Sequence, residues 1–496
     1  MSAETEKVRL ILGLKVRQLR LERGLSQHEL AQRVGLAHSY LNEIEKGKKY
    51  PKADKMMALA QALGTDYDAL VSLKLDRKLE PITELLNSRV LSELPLGMFG
   101  LEPAAILQLM SEAPDKLSAF VNTLIKLTHS YDLRTEQFYF SALRTYQEMR
   151  DNYFPDLEEA AEKFLHEVLD GQKPETAEQI QNVLTGRFGY RFRDFGADTH
   201  PAIGSLRSVF VPPHSELWLN QRMTRSQRMF TLVRECGYQF LGIRERSLES
   251  SVVEPESFEH MLNNFRASYF ARAVLVPRRE LIPQMEAFFA KTAWDGAALP
   301  DILQAFHATP EMFLLRLTNV LVQHFGLNRL FFLRLDHTTG DSRYHVAKEL
   351  RLNNLHSLPG PVLREHYCRR WVSVTVLQEL AEAIRIGAWD KKPLARTQKW
   401  RHIGTGAEYW VMTLAKPSPP KPGVVSSVSL GVEIDDGLRQ RVAFLDDPQI
   451  TQRDVGDTCE RCPAENCLER AVPPLVLAQR QRVGDLKKTV AALGRK

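Results

Sequence analysis

LSQHELAQRVGLAHSYLNEIEKGKKYPKADKMMALAQALG, residues 25–64, is the stretch on which the reading of this chain turns. Ser26 stands three residues before Glu29, the spacing at which a hydroxyl caps a helix and a carboxylate reaches back to the cap. Leu30, Ala31 and Val34 give the helix that follows one apolar face, and Gly35 permits a sharp turn. A second helix then runs from about Ala37 through His38, Ser39, Tyr40, Leu41, Asn42, Glu43, Ile44 and Glu45 to a stop at Lys46-Gly47. Helix, short Gly-containing turn, helix is the geometry that lays the second helix in a major groove. Upstream, Leu10, Leu14 and Leu21 alternate with Arg9, Arg17 and Arg20 in an amphipathic helix over 8–23, closed by Gly24. Downstream, 53–63 and 66–70 read as fourth and fifth helices, so residues 1–72 form a predicted five-helix domain.

The same stretch resembles the Cro/C1-type (xenobiotic-response-element) helix-turn-helix family over about residues 8–70. The resemblance implies that Gln27 contacts a phosphate and that His38, Ser39, Tyr40 and Asn42 face base edges. Amides and hydroxyls suit that task because base edges present paired donors and acceptors. Arg17, Lys46, Lys48 and Lys49 would hold the phosphate backbone and set register without reading sequence. Residues 7–55 carry 12 basic against 5 acidic side chains, whereas the whole chain is only net +5. That local excess fits a module that neutralises phosphates. A solvated charged face, or a helical protein-binding module of the same fold, is the competing reading.

At 496 residues the chain is long enough for roughly three to four domains. With 44% hydrophobic and 26% charged residues it is neither disordered nor a small stapled scaffold. No apolar run approaches the roughly 18 residues of a membrane span, and Met1–Lys7 lacks the apolar core of a signal peptide. A cytoplasmic protein with no membrane partner is therefore expected.

Residues 73–172 read as mostly helical, broken at Pro95, Pro103, Pro114 and Pro155, and are assigned to a linker and dimerisation region. Helix-turn-helix readers usually work as two-fold pairs on half-sites about 34 Å apart, so a homodimer on a double-stranded operator is expected. The cluster Phe138, Tyr139, Phe140, Tyr146, Tyr153 and Phe154 reads as helix-packing core or a dimer seam.

Between 173 and 295, GYRFRDF (189–195), LWLN (217–220) and the run Gln227–Tyr238 together resemble the ImmA/IrrE metalloprotease family. Its H-E-x-x-H helix sets two imidazoles on one face to hold zinc, with the Glu as general base. Here Arg234 and Tyr238 stand at the histidine positions, Asn264 at the third ligand, and only Glu235 remains. A guanidinium, a phenol and an amide do not replace that ligand set at neutral pH. Catalysis is thus not expected: Glu235 reads as a structural carboxylate paired with Arg234 or another basic group, inside a degenerate zincin-like domain. A protease acting on a repressor is the enzyme alternative.

Residues 296–496 read as a mixed α+β sensor-like domain, with strands at RLFFLRLD (329–336), YWVMTLA (409–415) and VVSSVSLGVEI (424–434). Pro417, Pro419, Pro420 and Pro422 stiffen the loop between the last two. Gly404-Thr405-Gly406 lacks the third glycine and helix of a nucleotide loop. Near the end, Cys459, Cys462 and Cys467 form C-x2-C-x4-C, three soft thiolates within reach of one tetrahedral ion. Cys368 is the expected fourth ligand of a structural zinc, with His366 its rival; free or redox-active thiols are the alternative. Cys236 reads as a small buried hydrophobe.

The whole order of segments, closing in C-x2-C-x4-C-x2-R-A-x-P-P, resembles the short-chain fatty-acyl transcriptional regulators of bacteria. That resemblance implies a multidomain, mainly α chain with α+β parts, acting as a DNA-binding regulator of acyl or carboxylate metabolism genes. A small-molecule effector of the short-chain acyl-CoA type would be its input. A zinc- or redox-sensing switch built on the cysteines is the remaining alternative.

Overall fold

The computed structural model describes residues 3–72, 135–249, 255, 257–352 and 365–493. They form two compact units, Met1–Ser141 with Glu256–Glu259 and Ala142–Pro255 with His260–Lys496. Pro95, Pro103, Pro114 and most of the linker expected to dimerise lie outside the described residues.

The first unit opens with α1 (Ala3–Glu22), α2 (Gln27–Val34), α3 (His38–Glu45), α4 (Ala53–Ala62) and α5 (Tyr67–Val71), the five helices the pattern predicts. Ser26 and Glu29 make both halves of the capping box, and Gly35 closes α2 at φ 63°, where a side chain would be strained. Leu12, Val16, Leu30, Leu41, Ile44, Leu59 and Leu63 are buried against one another as the core. At Gly13 a Cβ would stand 2.4 Å from the carbonyl oxygen of Ile44, so glycine is what lets α1 cross α3 closely.

The chain continues through α6 (Thr135–Met149), α7 (Pro155–Val168) and α8 (Ala177–Phe188) into a three-stranded sheet. There β1 (Arg191–Phe195) runs parallel to β3 (Glu216–Asn220), and β3 pairs antiparallel with β2 (Ser208–Val211). α9 (Arg225–Phe240) packs against α8. It is followed by α10 (Phe258–Leu275), α11 (Arg278–Phe289), α12 (Ala298–Ala305) and α13 (Pro310–Phe325). Phe154 meets Tyr146, Phe265 and Tyr269 at 5.2–5.4 Å between ring centroids, so this part of the expected aromatic cluster is helix-packing core. Phe140 is instead 40% exposed, and the side chain of Phe138 lies outside the described residues.

A six-stranded mixed sheet carries the C-terminal part, in the order β5-β4-β8-β7-β6-β9. Its strands are β4 (Leu330–Thr338), β5 (His345–Arg351), β6 (Leu394–His402), β7 (Glu408–Pro417), β8 (Val424–Glu433) and β9 (Gln452–Val455). All neighbours are antiparallel except β6 and β9. α14 (Val372–Arg385) lies on β6, β7 and β8, where Leu333, Leu335, Val411, Ala415, Val374 and Leu377 form the core. β7 and β8 are buried along nearly their whole length, as central strands covered on both faces must be. α15 (Asp436–Arg441) and α16 (Leu475–Leu493) complete the described chain. The architecture is multidomain, with N-terminal helix-turn-helix helices and a C-terminal mixed sheet. No described helix is long and apolar enough to cross a membrane.

Candidate functional site

α3 is oriented by a buried carboxylate. Glu45, the last residue of α3, accepts from Arg20 Nε at 2.6 Å and from Arg20 Nη2 at 3.0 Å. Gln27, the first residue of α2, donates its amide to the same carboxylate at 2.7 Å, and Arg20 also donates to the Leu25 carbonyl at 2.8 Å. One ion pair thus joins the end of α1, the start of α2 and the end of α3. Both charged side chains are buried, and an unpaired charge there would be costly, so the pair fixes how α3 is presented. Lys15 gives α5 a comparable anchor, donating to the carbonyls of Ala69 at 2.7 Å and Ser72 at 2.6 Å.

The residues expected to face DNA differ in exposure on this frame. Leu41, Ile44 and Glu45 are the buried residues of α3, while His38 and Ser39 are exposed in its first turn and Asn42 is half-buried one turn on. Tyr40 is half-buried and leans on the core. The N-cap of α3 is Ala37, which offers no side-chain acceptor to the first-turn N–H groups. His28 of α2 and His38 of α3 approach to 6.5 Å between ring centroids, which brings the starts of the two motif helices together. Lys48 and Lys49 are exposed just beyond α3, and Lys46 and Arg17 are half-buried. Gln27, expected to contact a phosphate, donates its amide to the buried Glu45 carboxylate. The sequence reading missed Arg20 and Glu45 as positioning groups. Their signal was opposite charges at helix positions in register with the apolar face.

In the second unit, Glu235 is fully buried on α9. Arg246 grips it with both guanidinium arms, at 2.6 and 2.9 Å, and lies over the Tyr238 ring at 3.9 Å from the centroid. Tyr190 donates to the Glu235 carboxylate at 3.2 Å, and Tyr238 donates to Asn264 at 3.0 Å. Burial, and then the neighbouring Glu235 charge, push the Tyr190 phenol far above its usual range. Positions 234, 235, 238 and 264 are therefore close in space, and a cation already neutralises the carboxylate. Cys236 is fully buried, and burial raises its thiol well above normal.

Cys368, Cys459 and Cys462 converge where residues 366–368 run alongside 457–459. Cys368 N donates to the Asp457 carbonyl at 3.0 Å and Cys459 N to the His366 carbonyl at 2.8 Å. The Cys462 sulfur lies 3.0 Å from where a Cβ on Gly456 would stand. Burial pushes the Cys368 thiol up to about 11, with Cys462 and Cys459 adding to the rise. The His366 ring is engaged by Glu460 at 2.8 Å, and Cys467 points to Glu469 at 3.8 Å. Among the described residues no group of three or more His, Cys, Asp or Glu side chains stands at metal-holding geometry.

The helix-turn-helix family model matches residues 16–70, the segment built around α3. Over nearly the full length, the chain is 24% identical to the propionyl-CoA carboxylase regulator of Cereibacter sphaeroides, covering 94% of this chain and 95% of that protein. It is 23% identical to the transcriptional regulator RamB of Mycobacterium tuberculosis, covering 94% of each. The first domain alone is 37% identical to the HTH-type regulator y4dJ of Sinorhizobium fredii, over 13% of this chain and 84% of that protein. With α3 held by Arg20 and Glu45 inside the matched segment, the chain belongs to the helix-turn-helix family of transcriptional regulators.

Proposed function

We propose that this protein is a sequence-specific DNA-binding transcription regulator that responds to a short-chain acyl metabolite, of the acyl-CoA type, and controls acyl or carboxylate metabolism genes. The observation that carries the acyl part is end-to-end likeness to a protein named propionyl-CoA carboxylase regulator, well beyond the reading head. His38, Ser39, Tyr40 and Asn42 read base edges; Arg17, Gln27, Lys46, Lys48 and Lys49 hold the backbone of a double-stranded operator. Two copies work as a homodimer, and the effector prefers one arrangement of the pair, which is the condition for any coupling.

The same reading makes 173–295 a degenerate zincin-like domain without protease activity, supported by the Arg246 guanidinium on Glu235. It keeps a structural zinc at Cys459, Cys462, Cys467 and Cys368, supported by the convergence of three of the four thiols. Zinc there would lock the 366–368 and 457–467 segments together and carry no chemistry. The deciding experiment is DNA binding by the purified protein against fragments of its own genome at fixed salt, with and without a panel of short acyl-CoAs. Specific binding shifted by one acyl-CoA is expected; specific binding indifferent to all of them removes the metabolite input, and no specific binding removes the regulator. Metal content of the same preparation tests the zinc.

A further inference from the structure

We infer that α16 is a docking helix for a different protein, and that its partner is an amphipathic helix whose apolar seam is bordered by acidic side chains.

α16 is tied down at its start. The backbone N–H groups of Val476 and Leu477 donate to the Glu460 carbonyl at 3.1 and 3.3 Å, which fixes the first turn to the segment carrying Cys459 and Cys462. Beyond that turn the large apolar side chains face outward: Val483 is 48% exposed, Leu486 66%, Val490 60% and Leu493 69%. They follow one another at intervals of three, four and three residues, so they share one face of the helix. In heptads, Val476, Val483 and Val490 take the a positions, and Gln479, Leu486 and Leu493 the d positions. Valine at a with leucine at d is a combination that pairs two helices. Single exposed apolar residues need no explanation, but a continuous stripe of them marks an interaction face. Gly484 stands inside the helix and lowers its intrinsic propensity. A 19-residue helix draws most of its stability from packing its apolar face, and among the described residues nothing covers this one.

The borders of the seam choose the partner. Arg480 and Lys487 stand at e positions and Arg482 at the g position between them, while Asp485 lies outside the seam. Arg480 already sits beside Glu365. Arg482 and Lys487 are exposed, and among the described residues no ion pair engages them. In a parallel pair of copies, Arg482 of each would face Lys487 of the other. In an antiparallel pair e faces e and g faces g, again basic against basic. The borders thus select against a second copy, and the pairing of copies proposed above does not run through α16. Glutamates at the e and g positions of a different helix meet both cations. A strict a/d stripe without Trp or Phe is also narrower than the apolar face with which a helix lies in a lipid surface.

The test uses full-length protein and two labelled synthetic peptides, three heptads long, with Val at a and Leu at d; one carries Glu at e and g, the other Lys. Fluorescence anisotropy should show saturable binding of the Glu peptide, with the Lys peptide at least about tenfold weaker. Leu486→Asp should abolish binding, and Arg482→Glu with Lys487→Glu should invert the preference between the peptides. All three positions are exposed, and the comparison of peptides on the wild type needs no variant. No saturable binding of the Glu peptide, equal binding of both peptides, or wild-type binding by Leu486→Asp each overturns the proposal. Loss of self-association in Leu486→Asp, read by sedimentation, would make a second copy the occupant and overturn it too. Cosedimentation of the wild type with phosphatidylserine vesicles, lost in Leu486→Asp, would do the same in favour of a lipid surface.

Discussion

Arg246 places both arms of its guanidinium on the Glu235 carboxylate, at 2.6 and 2.9 Å, in the interior of the second unit. A fully buried carboxylate needs a cation, and here an arginine from the segment after α9 supplies it while its flat face covers Tyr238. Glu235 is consequently a packing element whose loss should be felt in stability. Glu235→Gln is expected to destabilise the fold by about 3–5 kcal/mol, because Arg246 is left buried and unpaired. Glu235→Leu combined with Arg246→Met should recover much of that loss. Urea unfolding of the three proteins checks it; a Glu235→Gln variant as stable as wild type would refute the structural role.

At the reading head the equivalent pair is Arg20 with Glu45, and Gln27 leans on the same carboxylate. Glu45→Gln keeps the shape but removes the charge that two donors converge on. DNA affinity is expected to fall on specific and random DNA alike, because α3 as a whole loses its set. A loss confined to the operator would instead make Glu45 part of the reading surface. Titration of both duplexes at one salt concentration separates the outcomes.

Much of this head is legible in the sequence because its signals are local. Ser26 and Glu29 three apart, Gly35 at a turn, and Leu30, Ala31, Val34 and Leu41, Ile44 at helical spacing fix α2 and α3 without tertiary help. The large sheet is only half legible. β4, β7 and β8 are apolar runs, whereas β5 reads HVAKELR and β6 reads LARTQKWRH, polar enough to pass for loop. Those strands exist because a neighbour supplies the ladder. β9 is four residues held parallel against β6, a pairing that becomes visible only once the chain has returned. Arg246 could not be matched to Glu235 from spacing, since the partner follows the end of α9. The opening lined by Gln227, Glu311, Arg334, Lys416 and Ser426 draws residues from five separate elements, so no window of sequence contains it.

On α3 the division of labour makes a second test possible. Asn42→Ala should weaken operator binding by about 1–3 kcal/mol and leave random DNA nearly unchanged. Lys48→Ala should weaken both by similar factors and flatten the salt dependence by roughly one unit of slope. Tyr40→Ala is expected to follow Asn42→Ala, with some added loss of stability because its ring leans on the core. Equal effects of Asn42→Ala on specific and random duplexes would refute base reading by this helix face.

The Glu158–Arg316 pair should contribute to the loss of stability in acid. Its carboxylate and the Arg316 guanidinium have side chains 2% and 1% exposed, and they pair through Nη1–Oε1 and through Nη2–Oε2 at 2.9 Å. Tyr269 donates to the same carboxylate at 2.7 Å, and Arg316 also donates to the Val276 carbonyl at 3.0 Å, so α7, α10 and α13 meet on this one group. Burial pushes the Glu158 carboxyl up, but the Arg316 charge and the hydrogen bonds outweigh it, leaving the group below its ordinary value. The folded pKa is thus lower than the unfolded one, and the unfolded chain is first to take up the proton as pH falls. The stabilisation is fully present above an unfolded value of about 4.3 and is lost as pH drops through the folded value. Unfolding free energy of the wild type should therefore fall steadily below about pH 4.3. Glu158→Gln should be about 3–5 kcal/mol less stable at pH 7, with a shallower acid limb because the titrating group has gone. Urea unfolding of both proteins from pH 3 to pH 7 measures this directly, and parallel acid limbs would show that the pair does not contribute to the acid sensitivity.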